Sequence, residues 1–257
     1  MGDHSAGSNK APTGQPRNAL APYEAALLVS FGGPERPEDV MPFLQNVTRG
    51  RGIPTERLAE VGRHYLLFGG KSPINDQCRS LLAALTNELH GRGIRLPLYW
   101  GNRNWNPYLR DEVRAIERDG HRRVLAVVTS AYPSYSSCRQ YRENFFDAAQ
   151  GTQIQIDRIR HYANQPGFVQ ASVDASFEAL ETLGERADDA RLVFVTHSIP
   201  IAMAETAGPV PRSGRGAYVD WHAVVASEVA HRVGKRVGRS FDSDLVYCSR
   251  SGPAGQP

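Results

Sequence analysis

The apolar positions of the chain fall into short, nearly continuous runs separated by stretches with helical spacing. The runs are Ala25 to Phe31, Arg95 to Trp100, Arg123 to Thr129, Ile154 to Ile159, Leu192 to Thr196 and Leu245 to Cys248. Continuous rather than alternating hydrophobicity suits strands buried on both faces of a parallel sheet. Between the runs the period changes. Ser72 and Pro73 supply a helix cap and a first-turn proline, followed by Ile74, Leu81, Leu82, Leu85 and Leu89 on one face and Gly91 as a stop. Asn106 and Pro107 repeat the device before Leu109, Val113 and Ile116, in a helix that ends near Gly120. Pro166 opens another helix through Phe168, Phe177 and Leu180 to Gly184, and Val225, Val229 and Val233 stripe a last one. The repeated βα order predicts an α/β fold with a mostly parallel sheet.

Two halves are expected, residues 23–150 and 151–257, each with three strands, divided at the polar stretch Ala148 to Gln153. Residues 1–22 are rich in Gly, Ser, Ala, Asn and Pro without periodicity, which reads as a disordered lead-in.

At 257 residues and 40% hydrophobic content, the chain can bury a real core, which excludes disordered and disulfide-scaffold classes. No apolar run approaches the ~20 residues of a spanning helix, and Met1 to Tyr23 lacks the apolar core of a signal peptide, so a cytoplasmic protein without a transmembrane segment is expected. The three cysteines, Cys78, Cys138 and Cys248, lie far apart, against a disulfide framework or a self-contained zinc site. Of the 30 basic residues only Lys10, Lys71 and Lys235 are lysine, a bias that GC-rich coding explains. Only local Arg clusters then argue for anionic ligands, and nucleic acid is not an expected partner.

Ligands of open parallel sheets bind beyond the carboxyl ends of the strands. Those positions hold Ser30 to Pro34, Gly101 to Trp105, Thr129 to Tyr135, Thr196 to Pro200 and Ser249 to Pro253. They supply aromatic rings, hydroxyls, Arg and one His, with almost no carboxylate. GxGxxG, GxxxxGK[ST] and GxSxG are all absent, which excludes the common dinucleotide, P-loop and hydrolase-elbow sites. A nucleotide- or sugar-binding reading then rests on the βα order alone. An aromatic cleft with an imidazole and Arg at its edge suits a planar, hydrophobic, anionic ligand. His197 is either a helix-entry histidine bonded to backbone or a metal ligand or proton acceptor. Arg49 and Arg51 sit on a Gly-flexed loop, either solvated or able to bind carboxylates bidentately. Tyr132 to Asn144 reads as a tyrosine-rich loop at the ligand rim, or as an amphipathic cover.

Seven segments together resemble the ferrochelatase family, most closely its actinobacterial branch, which inserts ferrous iron into coproporphyrin III. They are LLVSFGGPE from Leu27, DVMPFLQNVTRGRGIP from Asp39, FGGKSPINDQ from Phe68, YWGNRNWNP from Tyr99, TSAYPSYSSCRQYREN from Thr129, VTHSIP from Val195 and YCSRSGP from Tyr247. The resemblance implies two Rossmann-like, doubly wound lobes with porphyrin between them. It implies a lyase of haem biosynthesis, acting as a monomer on coproporphyrin III and Fe²⁺. It also implies that His197 binds the incoming iron or accepts pyrrole protons, that Ser72 and Tyr141 contact porphyrin, and that Arg49 and Arg51 lie beside its propionates. Phe31 stands where some relatives place a tyrosine, so it is expected to pack on the macrocycle without ligating.

The family pattern continues past Ser-Gly-Pro into a WLEPD-like segment, a strand with a metal-side glutamate and a closing helix. Against that pattern the second lobe is expected to be incomplete, and a non-catalytic porphyrin or haem binder is the alternative reading. Cys138 matches the first of four [2Fe–2S] ligands in the actinobacterial branch, whose partners Cys78 and Cys248 do not match. One thiolate cannot hold such a cluster, so none is expected here unless the partner cysteines are supplied. Cys248 stands where relatives have glutamine, so the polar network there is expected to differ.

Overall fold

In a computed structural model of the chain, residues 19–205 and 216–249 are described. Of the expected lead-in, residues 1–18 lie outside them, as do the rim residues after Ser249; residues 19–22 form a turn closed by the Tyr23 amide on the Leu20 carbonyl.

A four-stranded parallel sheet has the order β2-β1-β3-β4, with β1 at Ala25–Ser30, β2 at Leu98–Asn102, β3 at Arg123–Val128 and β4 at Gln155–Arg158. The chain steps from β1 to one side and returns to the other, which places a topological switch point between β1 and β3. β1 is buried at every residue, as its continuous hydrophobicity predicts. On one face Leu27, Val29, Val124 and Ala126 pack against Val113 and Ile116 of α4 (Leu109–Arg118) and Phe145 of α5 (Tyr141–Ala149). On the other face Leu28 and Trp100 meet Ile74, Cys78, Leu82 and Leu85 of α3 (Ile74–Gly91), so Cys78 is a core residue.

The strand at Gln155–Arg158 joins this sheet by pairing parallel with β3 and does not open the second half as the spacing predicts. Among the described residues the expected three and three strands are therefore four and two. The second sheet pairs β5 (Leu192–His197) with β6 (Ser243–Cys248), again parallel. Leu192 and Phe194 pack with Val169, Val173, Val225, Val229 and Val233 of α6 (Pro166–Leu183) and α8 (Ala217–Val237). Burial along β5 alternates, leaving Val193, Val195 and His197 exposed. β5 is thus half-buried and β6 mostly exposed, and neither is covered on both faces, because both long helices pack on one side and no described element covers the other.

Three local differences from the sequence reading have physical causes. α4 starts at Leu109, because the Pro107 carbonyl accepts the Asn102 amide at 2.7 Å and Tyr108 is extended, continuing the edge of β2. Two helices, α1 (Val40–Val47) and α2 (Thr55–Leu67), form a small core of their own from Val40, Phe43, Leu44 and Leu58, closed by Trp105. The tyrosine-rich segment is not a loop: Ser136–Gln140 make a π-helical turn that runs directly into α5. A short helix, α7 (Ile201–Glu205), follows β5. Among the described residues, no helix is long and apolar enough to cross a membrane.

Candidate active site

The rim beyond β1, β2 and β3 is held open by backbone geometry. Gly32 has φ +81°, and a Cβ on Gly33 would lie 2.7 Å from the Ser72 Cβ and 2.8 Å from the Ile74 side chain. Only glycines let this loop turn and press against the start of α3. Fully buried Asn75 donates to the carbonyls of Gly33 and Asn106 and to Glu35 Oε1, and its own Oδ1 accepts from buried Asn102. Trp100 donates its indole N–H to Asn102. This polar knot ties the loop after β1 to the end of β2, so the side chains leaving both strands are fixed relative to one another.

Those side chains form an aromatic-walled crevice around a guanidinium. Arg103, just after β2, lies 4.8 Å from the Tyr141 ring and 5.8 Å from the Phe31 ring. Its Nη2 donates to Gln140 Oε1 at 3.3 Å, while its Nε is buried with no hydrogen-bond partner among the described residues. An orphaned guanidinium N–H is costly, and no carboxylate satisfies this one. Phe31 packs edge-on to Phe43, which meets Tyr65 and Trp105 the same way. Tyr141 is buried, and that burial pushes its phenol above the usual range. Phe31 and Tyr141 are thus brought together, through an Arg103 that the sequence reading passed over as one rim residue among many. The signal available was an Arg directly after a buried strand with no acid at loop or helix spacing.

His197 ends β5. Its Nδ1 lies 2.6 Å from the Ser198 carbonyl, which has only lone pairs, so Nδ1 carries the proton and Nε2 keeps a free pair. The ring is exposed, on the outer face of the second sheet. Its strand is nevertheless linked to the first sheet's rim: Tyr132, after β3, stacks on His222 of α8 at 3.6 Å and 13°, and His222 bonds Thr196 beside His197.

The remaining expected residues are spread around this rim. Ser72 is half-buried under the Gly33 loop, its hydroxyl accepting the Ile74 amide at 3.4 Å and its own amide donating to the Pro34 carbonyl. Arg49 and Arg51 are exposed on the loop between α1 and α2, where no described acid pairs with them. Cys138, on the π-helical turn, lines a pocket of about 540 Å³ together with Arg142, Phe145 and Arg158. Its Sγ is 3.7 Å from His161 Nε2. Burial first, then Arg158, pushes His161 down to about 4.

A four-thiolate cluster does not fit these residues. Cys78 is locked in the core and Cys248 sits opposite His197 in the second sheet. Among the described residues no group of three or more His, Cys, Asp or Glu could hold a metal ion.

A family model described as ferrochelatase matches residues 23–256. The chain belongs to the ferrochelatase family. It is 55% identical over 240 residues to the coproporphyrin III ferrochelatase of Streptomyces coelicolor, covering 90% of this chain and 64% of that protein. It is 48% identical to the coproporphyrin III ferrochelatase of Leifsonia xyli, covering 98% and 69%, and 45% identical to a ferrochelatase of Rhodopirellula baltica, covering 93% and 65%. The chain thus spans about two thirds of the length of these relatives. Within the ferrochelatase family the α/β fold and the parallel first sheet are as the sequence predicts, and the rim of that sheet is where the aromatic and basic side chains gather.

Proposed function

We propose that this chain carries the porphyrin-handling part of a coproporphyrin III ferrochelatase, a lyase that inserts Fe²⁺ into the macrocycle in haem biosynthesis. The observation that carries this reading is Arg103, a guanidinium without an acid of its own, held between Phe31 and Tyr141. Aromatic walls accept a flat macrocycle, and the unpaired N–H donates to one of its carboxylate oxygens. Arg49 and Arg51, free on their loop, take the propionates at the edge, and Ser72 borders the ring from beneath the Gly33 loop. Phe31 packs against the macrocycle and supplies no ligand. His197 offers its Nε2 pair to Fe²⁺ or to a departing pyrrole proton, while its Nδ1–H stays bonded to backbone. A resident [2Fe–2S] cluster has no part in this reading. The protein acts as a cytoplasmic monomer without nucleic-acid partners.

A second reading, porphyrin or haem binding without metallation, is favoured by one feature: among the described residues no acid joins His197 in a ligand group. Incubation with Fe²⁺ and coproporphyrin III under reducing conditions separates the two. Metallation that drops at least ~100-fold in His197→Ala, with porphyrin binding retained, is the expected result, since a group acting in the reaction contributes that much. Equal rates in both proteins remove His197 from the chemistry, and binding with no turnover in either establishes the second reading.

A further inference from the structure

Behind His197 lies a run of hydrogen bonds that the sequence pattern does not single out. Thr196 points to the opposite face of β5. Its Oγ1 lies 2.7 Å from the Tyr218 hydroxyl and 3.0 Å from His222 Nε2, both on α8. The Tyr218 hydroxyl also donates to the His197 carbonyl at 2.8 Å, and His222 Nδ1 is 2.7 Å from the Tyr218 carbonyl.

Counting protons decides what this arrangement does. A carbonyl only accepts, so His222 Nδ1 must carry a proton. With a neutral imidazole, Nε2 then accepts from the Thr196 hydroxyl. Thr196 Oγ1 is left to accept from Tyr218, whose single proton the His197 carbonyl also needs. One of the four contacts therefore has no proton. With an imidazolium, Nε2–H donates to Thr196, Thr196 to Tyr218, and Tyr218 to the His197 carbonyl, and all four contacts are made.

We propose that His222 is a positioning residue for His197: by taking one proton from solvent it completes the chain through Thr196 and Tyr218 and clamps the His197 carbonyl. Loss of that proton leaves Tyr218 one proton for two acceptors, so its hold on the His197 carbonyl is shared with Thr196. Opposing effects meet at this ring. Burial is the larger influence and holds His222 below the usual histidine range, while its bond to the Tyr218 carbonyl pushes it up. The stacked face of Tyr132 adds attraction for the cationic form. The titratable groups that touch this run are Tyr132 from the first rim and Tyr218 on its own helix, and Tyr247 and Cys248 of β6 act on Tyr218. No carboxylate is among the causes of its shift. Tyr132 also couples the device to the first sheet, since whatever moves that ring at the rim moves the support of the imidazole.

The consequence for metallation rests on the role proposed for His197, but the chain of hydrogen bonds does not, and NMR titration of the whole 257-residue protein reads it directly. In Tyr218→Phe the protonated form loses the acceptor for Thr196 while the neutral form keeps its bonds, so the His222 pKa is expected to fall by about one unit. His161, remote from the chain, stays where it is. A His222 pKa unchanged or raised overturns the proposal. Should Tyr218→Phe fail to fold, His197→Ala keeps the backbone carbonyl and removes the neighbouring imidazole. Its residue 197 carbonyl ¹³C shift is then expected to titrate with His222, and a flat response overturns the clamp. A protein that never metallates porphyrin yet shows these shifts contradicts the function proposed above and supports the clamp.

Discussion

His161 shows how much a single side chain depends on its surroundings. It is half-buried, and Nη2 of Arg158 approaches its Nε2 at 3.2 Å, so the ring faces a permanent cation and stays neutral, pushed down to about 4. A histidine with a folded pKa below its unfolded value of about 6.5 binds fewer protons in the native state. Stability is therefore full above pH ~6.5 and falls as the pH drops toward 4. In denaturant titrations across that window, His161→Gln is expected to lose less stability than the parent; equal slopes would mean that His161 is neutralised without cost. Arg103 makes the complementary point about legibility. Phe31 and Tyr141 could be named from sequence because each stands in or near a post-strand segment. That Arg103 lies between them, with a buried N–H and no acid, depends on β2 and α5 meeting across 38 residues of chain, which no local pattern encodes.

At the scale of elements, the loop after β1 is the piece on which the crevice depends. Gly33 presses against Ser72 and Ile74, and Asn75 binds the same loop from α3. Gly33→Ala forces a contact of 2.7 Å to give way. An overpacked site of this kind costs about 1–3 kcal/mol. Thermal or denaturant unfolding is expected to show that loss, and porphyrin binding to weaken with it because Phe31 is carried on the loop; a variant of parental stability would show that α3 moves aside freely. The strands of the first sheet were legible because β1 is apolar up to Ser30 and buried throughout. α1 and α2 were not, because their few buried residues close on Trp105, far along the chain, and short helices with a small apolar stripe give a weak period. The half-covered second sheet was misjudged for a related reason. Leu192 to Thr196 are apolar on both faces, and sequence cannot say that α6 and α8 would both choose one of them.

For the whole molecule, the two sheets contribute different things. The first is a closed scaffold with cores on both faces, which fixes Phe31, Arg103 and Tyr141 in rigid register. The second is a two-stranded layer on one helical face, carrying His197 at its edge and joined to the first by the Tyr132–His222 stack. Rigid binding groups on one side and a supported imidazole on the other suit a reaction in which a large ligand is held while a small ion is delivered. Net charge of +3 adds little to that; the charges that matter are the few guanidiniums without acids. The central claim is that the crevice around Arg103 takes a porphyrin carboxylate, and the most direct measurement is the quenching of coproporphyrin III fluorescence on titration with the parent protein and with Arg103→Met. Replacing one charge-assisted hydrogen bond, worth about 1.5–3 kcal/mol, is expected to raise Kd roughly 10- to 100-fold, while a porphyrin lacking carboxylates binds both proteins alike. Equal affinity of both proteins for coproporphyrin III would contradict the account.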